Sequence, residues 1–276
     1  IHVSGREHEE PAVYGHWPGG ELRWSLSKGK DPLLDAVTEA LNSCLEKLPD
    51  LYLDIDSSSF YTSNGEKLGF GSSAAATVGA CGIFLEAAGI ALEGKQELIG
   101  KLALQAHRKA HNGRGSGYDI YTSTYGGIGL FTGGREAQLR KMHLDWLPEA
   151  KILRGERSVL SAEAVEKYIQ WKREQPDRAR DFFRESNRIV CEFLSASSWT
   201  EALPWFRRAK ELGLKLGEEI NEKANIAMPY ELGTDEEFKA LGAGGELGVL
   251  FSPRKYEHPD LEALGFSEKG VSAIST

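Results

Sequence analysis

Residues 67–75 read KLGFGSSAA, and they lead into a small-residue apolar segment that runs from Ala74 to Gly89. Because this segment is apolar on all sides, it predicts a buried, closely packed helix rather than an amphipathic surface helix. Glycines at its start let the backbone approach an anion, and the unpaired N–H groups of a helix N-terminus attract negative charge. Two hydroxyls and the upstream Lys67 add donors and a positive charge. The stretch therefore predicts a phosphate-binding loop at the start of a buried helix.

Taken alone, these residues leave three interpretations open. In the first, Ser72 or Ser73 only caps the helix while the glycines turn the chain. In the second, the stretch is the loose G-x-G-x-x-A fingerprint of a dinucleotide fold, with Glu93 about 20 residues further on. That fold needs an apolar strand directly before the first glycine, whereas residues 62–67 are mostly polar. The third is a nucleoside triphosphate loop outside the Walker type, because the chain contains no G-K-[S/T].

A second glycine-rich turn, GRGSGYD, spans Gly113–Asp119. A carboxylate beside a loop rich in N–H groups can accept a hydroxyl proton, and Arg114 could bind a phosphate through two parallel hydrogen bonds. The same pattern is also typical of an Asx-type turn around Asp119. The setting predicts a helix before the turn, over 95–110, and a strand after it, from Ile120 to Phe131.

Other patterns complete the expected secondary structure and the domain division. The composition changes near residues 135–150, which predicts two domains, 1–145 and 146–276. The further elements expected from alternation and helical spacing are a hairpin of Ala12–His16 with Glu21–Ser27, a helix over 31–48 capped by Asp31, strands over 51–55, 151–153 and 247–251, and helices over 161–175, 177–196 and 199–224.

The bulk composition excludes several classes of protein. With 276 residues, of which 41% are hydrophobic, the chain is long enough to bury a core without crosslinks. A net charge of −8 gives no broad basic surface for nucleic acid or an anionic membrane. The chain has no run of 18 apolar residues, and no charged-then-apolar leader follows Ile1. We therefore expect a cytoplasmic protein without nucleic-acid or membrane partners.

The cysteines and one histidine pair are residue types that can bind a metal ion. Cys44, Cys81 and Cys191 are far apart and lie in apolar, helix-like stretches, which favours buried free thiols over a disulfide or zinc site. His107 and His111 have the four-residue spacing of metal ligands on a helix, but two of the residues between them are cations. A polar helix face near the second turn is the favoured interpretation of this pair.

A third glycine-rich turn spans residues 242–246. The three turns, in this order, resemble the GHMP kinase superfamily, named for galactokinase, homoserine kinase, mevalonate kinase and phosphomevalonate kinase. Lys67–Ala75 is similar to its G-L-G-S-S-A-A signature, with Phe70 in place of leucine. Residues 242–246, GAGGE, are similar to its G-A-G-G-G motif, with Glu246 in place of the last glycine. On its own, this last stretch is only a tight turn before a strand. The resemblance implies an α+β fold of two domains, an N-terminal α/β domain and a C-terminal ferredoxin-like domain, with the active site in the cleft between them.

The middle motif resembles that of phosphomevalonate kinases in particular. Their pattern is A-H followed by G-K-x-G-S-G-F-D, and this chain has Ala106-His107 followed by Gly113–Asp119. Residues 54–61 and 224–229 are also similar to segments of those enzymes. Mevalonate kinases carry a magnesium-binding glutamate eleven residues before the catalytic aspartate, where this chain has Arg108. The resemblance thus implies transfer of a phosphoryl group to a small phosphorylated alcohol, with a kinase of an unphosphorylated alcohol as the alternative.

Roles for individual residues follow from the resemblance. ATP and magnesium would be the cofactors, and Ser73 would contact the metal. Lys67 would neutralise charge on the transferred group, and Asp119 would orient and deprotonate the attacking oxygen. The residues expected to hold the ATP phosphates are Gly69, Gly71, Ser72, Ser73 and Ala74. The residues expected to bind the acceptor, a small molecule, are Arg114, Ser116, Gly117, Gly242, Gly244 and Gly245. The protein would be a monomer or a homodimer.

One departure from the superfamily pattern keeps another class of function open. Members begin with a strand and a P-G-K-type turn whose lysine often reaches the active site, and no such turn occurs before Val13. Lys28 and Lys30 lie in a different context. Either the start of the chain is truncated or this lysine is lost together with some activity. The alternative from a different functional class is therefore a non-catalytic ligand-binding protein with the same fold.

Overall fold

The computed structural model describes residues 1–155, 161–222, 226–242, 244–254 and 258–273. The chain divides into two compact units. The first comprises residues 1–143 together with the C-terminal segment from Phe266, and the second comprises residues 144–265. The return of the C-terminal segment to the first unit does not follow from the change in composition near residue 145.

A four-stranded sheet forms one layer of the first unit. Its strands are β1 (His2–Glu7), β2 (Ala12–Trp17), β3 (Gly20–Ser25) and β4 (Leu51–Asp56), in the order β1-β4-β2-β3. The β2–β3 hairpin and strand β4 were predicted. Strand β1 was missed because its largely exposed residues do not alternate clearly between apolar and polar. Strands β2 and β4 are parallel, and the other pairs are antiparallel.

Helices pack against this sheet to form the core of the first unit. They are α1 (Pro32–Asn42), α2 (Ser72–Ala87) and α3 (Gln96–Ala110). Asp31 caps α1 as predicted, because its carboxylate accepts hydrogen bonds from the backbone N–H groups of Leu33 and Leu34 at 3.0 and 2.9 Å. Helix α2 is the predicted small-residue helix, and its buried side chains include Val78, Cys81, Phe84 and Leu85.

The prediction for the segment after the second turn is wrong in its first half. Residues Tyr118–Tyr125 form a helix, α4, rather than a strand. Its buried residues Ile120, Tyr121 and Thr124 have helical spacing, so tertiary packing overrides the strand preference of isoleucine, tyrosine and threonine. The second half is a strand as predicted, β5 (Ile128–Thr132), which forms an antiparallel hairpin with β6 (Gln138–Met142).

Over its described residues, the second unit contains a four-stranded antiparallel sheet and three helices. The strands are β7 (Glu149–Arg154), β8 (Glu237–Ala240), β9 (Leu247–Ser252) and β10 (Leu261–Leu264), in the order β10-β7-β9-β8. The helices are α5 (Ser161–Glu174), α6 (Pro176–Ser195) and α7 (Trp199–Glu219), all close to their predicted ranges. Residues Trp199, Ala202 and Leu203 of α7 pack on the sheet.

The cysteines are free thiols, but only one has the predicted burial. Cys81 is buried in α2, whereas Cys44 and Cys191 are exposed. Cys44 follows the end of α1, and Cys191 lies on the solvent side of α6, so an apolar neighbourhood in the sequence did not ensure burial. In the parts of the chain that the structure describes, no helix combines the length and the apolar character needed to cross a bilayer.

Candidate active site

The first glycine loop ends at Gly71, which is the N-cap of α2. Gly71 has a left-handed backbone, with φ of 76°, and neither Ser72 nor Ser73 occupies the cap position. The simple interpretation of a serine-capped helix is therefore wrong. The dinucleotide interpretation is also excluded, because β4 ends at Asp56 and the chain reaches Gly69 through a short 3₁₀ helix and a closed loop rather than a strand.

That closed loop, residues 60–68, determines where Lys67 lies. The backbone N–H of Leu68 donates to the carbonyl of Phe60 at 2.9 Å, and the N–H of Thr62 donates to the carbonyl of Glu66 at 2.8 Å. These bonds pair Tyr61 with Lys67 in an antiparallel bridge. Lys67 is exposed, so its ammonium group is available to a ligand at the start of α2.

A cavity of about 150 Å³ adjoins the first loop. Its walls include Lys67, Ser72 and Ser73, which the sequence predicted as site residues, and also the buried Thr77. Trp17 and Tyr61 also line the cavity, and their rings stack with centroids 5.7 Å apart. The remaining lining is largely apolar and comes mainly from β2, β3, β4 and α1: Val13, Leu22, Leu33, Leu34, Val37 and Ile55.

The second turn is tied to α3 through two residues. Gly117, the N-cap of α4, has a φ of 89°, and a Cβ there would lie 2.3 Å from Cδ1 of Leu104, so only glycine is accommodated without a shift. The guanidinium group of Arg108 donates hydrogen bonds to the carbonyls of Ser116 at 3.1 Å and Gly134 at 3.4 Å. Arg108 thereby holds the turn and the β5–β6 connection together. The backbone N–H of Arg114 donates to the carbonyl of His111 at 3.1 Å.

Asp119 lies in the first turn of α4 and next to the first glycine loop. A Cβ added to Gly71 would lie 3.4 Å from the Asp119 Cβ and 4.0 Å from its Oδ2. The Asp119 Oδ1 accepts a hydrogen bond from the N–H of Ile120 at 2.9 Å, rather than the bond two residues on that an Asx turn would make. The two motifs, far apart in sequence, therefore meet, and the N-termini of α2 and α4 adjoin the same carboxylate.

His107 belongs to this cluster, although its sequence position was interpreted only as part of a polar helix face. Only 9% of the residue is exposed, and a hydrogen bond of 3.2 Å joins its Nε2 to Ser73 Oγ. Its ring also contacts that of His111, with centroids 4.4 Å apart. Burial lowers the pKa of His107, and the nearby Asp119 carboxylate opposes this shift. The Ala106-His107 pair of the middle motif was the available signal.

The third turn lies between β8 and β9 in the second unit. The backbone N–H of Gly244 donates to the carbonyl of Leu241 at 2.9 Å, which closes the turn, and Gly242 and Gly244 have positive φ values of 57° and 97°. Gly245 is buried, and Gly155 packs against its carbonyl. Ala243, and Ala224 with Asn225 of the 224–229 segment, lie outside the described residues. In the first unit, Lys67 thus lines one cavity with Ser72 and Ser73, and Gly71 lies against Asp119, while Gly242, Gly244 and Gly245 belong to the other unit.

A known protein family matches the part of the chain that contains the first and second glycine turns. Residues 35–127, which contain both turns of the first unit, match the family described as the GHMP kinases N terminal domain. This part of the chain, about a third of its length, thus resembles the N-terminal domain of the GHMP kinases. A phosphomevalonate kinase from Saccharolobus solfataricus is 37% identical over 101 residues, which cover 35% of this chain and 29% of that protein. The match thus spans less than a third of the relative's length.

Solved structures show the same fold over nearly the whole chain. A Lin0012 protein from Listeria innocua has a TM-score of 0.76 at 18% identity, covering 96% of this chain and 87% of that one. Streptococcus pneumoniae phosphomevalonate kinase, in complex with phosphomevalonate and AMPPNP, has a TM-score of 0.71 at 16% identity, with coverage of 92% and 82%. These similarities confirm the predicted mixed α+β GHMP fold.

Proposed function

We propose that this protein is an ATP-dependent phosphotransferase that acts on a small phosphorylated alcohol, converting phosphomevalonate to diphosphomevalonate. The observation that supports the proposal most directly is the close approach of Gly71 and Asp119. A carboxylate next to two helix N-termini combines a proton acceptor with backbone N–H groups that stabilise phosphate charge. Phosphoryl transfer needs little else from a protein than positioning and electrostatic stabilisation.

The nucleotide is assigned to the first loop and its cavity. Gly69, Gly71, Ser72, Ser73 and Ala74 would hold the ATP phosphates at the N-terminus of α2. The aromatic and apolar lining beside Trp17 and Tyr61 suits a flat base, which gains from stacking on aromatic rings. Lys67, which lines the cavity, would neutralise charge on the transferred phosphoryl group.

Magnesium is assigned to the same place, with Ser73 as its protein contact. Among the residues that the structure describes, no cluster of three or more His, Cys, Asp or Glu side chains could hold a metal ion. Magnesium does not require such a cage, because it commonly binds one or two protein oxygens, the substrate phosphates and water. The Ser73 hydroxyl and the Asp119 carboxylate are oxygen donors of this kind. Bound there, the ion would neutralise the phosphate charge that develops during transfer.

Asp119 and the second turn are assigned to the acceptor. Asp119 would orient the attacking phosphate oxygen and take its last proton when the acceptor enters as a monoanion. Arg114 would bind the acceptor phosphate, with Ser116 and Gly117 beside it. Support for a phosphorylated acceptor comes from the 37% identity to the S. solfataricus phosphomevalonate kinase.

A coupled assay for ADP release tests the proposal. The purified protein is supplied with MgATP and, in turn, mevalonate, phosphomevalonate, homoserine and sugars. We expect turnover with phosphomevalonate that is absent without an acceptor. Turnover of another acceptor together with none of phosphomevalonate would reject the substrate and favour a kinase of an unphosphorylated alcohol.

A ligand-binding protein without catalysis is the second candidate. The feature that favours it is Glu246, which puts a carboxylate in the third turn where the superfamily pattern has glycine. Binding of ATP without transfer to any acceptor, measured by calorimetry and by the same ADP assay, would support this candidate.

A further inference from the structure

His107 is a buried polar residue between the two motifs of the first unit that the proposed roles leave unused. It lies near the end of α3, 34 positions after Ser73, and its Nε2 is 3.2 Å from Ser73 Oγ. Ser73 is in the first turn of α2, where a serine side chain can otherwise adopt several rotamers. A hydrogen bond to an imidazole that is 9% exposed selects one of them.

The other side of the imidazole faces the second turn. A Cβ on Gly115 would lie 3.9 Å from His107 Nδ1, and the Asp119 charge acts on the ring. His107 therefore contacts Ser73 of the first loop through one nitrogen and lies against the second turn with the other. Both neighbours carry proposed roles in phosphate transfer, but the ring itself has no assigned contact with a ligand.

We infer that His107 is a positioning residue. Its hydrogen bond fixes the orientation of the Ser73 hydroxyl toward the phosphates of bound MgATP and the position of that hydroxyl relative to Asp119. This inference rests on the proposed function. The ring is held by α3, which packs closely on α1 and α2, so the hydroxyl is oriented before the ligand arrives. Such preorganisation improves ligand affinity and transfer rate without any contact between His107 and the reacting atoms.

Two substitutions of similar size separate positioning from packing. His107→Leu fills the space but removes the hydrogen bond, whereas the amide of His107→Gln places a nitrogen near the position of Nε2. We expect His107→Leu to raise the Kd for MgATP about tenfold and to lower kcat about tenfold. A tenfold change in affinity corresponds to about 1.4 kcal/mol of binding free energy. His107→Gln should stay within about threefold of the wild type. His111→Leu, which alters the exposed neighbouring ring, serves as the matched control and should also stay close to the wild type.

A double-mutant cycle checks that the effect passes through Ser73. If His107 acts by orienting this hydroxyl, Ser73→Ala with His107→Leu should be no worse than Ser73→Ala alone. Losses that multiply in the double variant, or equal losses for His107→Leu and His107→Gln, would overturn the inference. Should His107→Leu fail to fold, His107→Met, which also lacks the ring nitrogen, takes its place, and its double variant with Ser73→Ala should likewise be no worse than Ser73→Ala alone.

Measuring the MgATP Kd by calorimetry keeps this inference separate from the proposed function. A wild-type protein that binds MgATP but phosphorylates no acceptor would reject the proposed function, and the Kd values of the variants would still decide the role of His107. Thermal unfolding of each variant checks that a loss of affinity is not a loss of folded protein. A wild-type protein that binds no nucleotide would overturn both.

Discussion

Gly71 and Asp119 lie against each other at the adjoining N-termini of α2 and α4, such that a Cβ on Gly71 would be 3.4 Å from the Asp119 Cβ. The first glycine loop, which precedes α2, thus lies next to a carboxylate 48 positions further along the chain. Because Gly71 also has a φ of 76°, the position demands glycine for its backbone, and a side chain would crowd the carboxylate.

Replacing Gly71 by alanine should therefore damage activity more than stability. The left-handed backbone costs an alanine about 1–2 kcal/mol, and the added methyl group narrows the space beside Asp119. Gly89, just beyond α2, provides the matched control, because its φ is 83° and a Cβ there meets no atom within 4 Å. We expect similar losses of unfolding free energy in urea for Gly71→Ala and Gly89→Ala, but a large loss of kcat/KM only for Gly71→Ala. Equal kinetic effects would contradict a role for this contact.

Replacing Asp119 by asparagine should separate binding from transfer. Asparagine keeps the shape of the side chain but removes its charge and its ability to accept a proton. We expect kcat to fall by about a hundredfold to ten-thousandfold, while the Kd for ATP changes little. Steady-state kinetics and calorimetry on the same preparation measure both. An unchanged kcat would remove Asp119 from the mechanism.

Replacing Lys67 by methionine tests its proposed role in neutralising charge on the transferred phosphoryl group. Methionine keeps most of the length of the side chain and removes its positive charge, so kcat should fall by at least about tenfold. Lys28 is exposed and follows β3, outside the lining of the cavity, so Lys28→Met is the control. If Lys28→Met lost as much activity as Lys67→Met, the effect would be one of overall charge rather than of position.

The three cysteines should differ in reactivity and in their effect on alkaline stability. Burial raises the pKa of the Cys81 thiol to about 12, while Cys44 and Cys191 are exposed. A thiol reagent at pH 8 should modify Cys44 and Cys191 in the native protein, and Cys81 only after unfolding. Peptide mapping after labelling identifies the modified residues. Rapid labelling of Cys81 would contradict its position in the core.

The same thiol should make the folded state less stable at high pH. In the unfolded chain Cys81 ionises near pH 8.5, whereas in the folded protein it stays protonated up to about pH 12. Between these values the unfolded state releases more protons, so the free energy of unfolding falls as pH rises, by up to about 1.4 kcal/mol per pH unit. Cys81→Ala should flatten this decline in urea denaturation between pH 9 and pH 11. If the unfolding free energy of the wild type and that of Cys81→Ala declined equally with pH, the result would contradict this prediction.

Much of the fold was predictable because its signals are local. The capping carboxylate of Asp31, the β2–β3 hairpin and the small-residue helix α2 each depend on residues adjacent in sequence. Helix α4 was not predictable in this way, since its isoleucine, tyrosines and threonines favour a strand locally. It forms a helix because Gly117 starts it with a left-handed backbone and because its apolar side chains fill the core beside α2 and α3.

The candidate site was predictable as a set of motifs but not as a geometry. The residue types at Gly69–Ser73 and at Asp119 left several interpretations open, and the resemblance of the three turns to the GHMP kinase pattern favoured phosphate chemistry. The contact between His107 and Ser73 spans 34 positions and depends on the packing of α3 against α2. No local pattern carries that information, so the histidine was interpreted as part of an ordinary polar face.

The most direct test of the central claim is the mass of the acceptor after incubation with MgATP. The account predicts that phosphomevalonate gains the mass of one phosphoryl group, that ADP appears in equal amount, and that Asp119→Asn slows both by at least about a hundredfold. An unchanged mass for phosphomevalonate, with the protein folded and ATP bound, would contradict it.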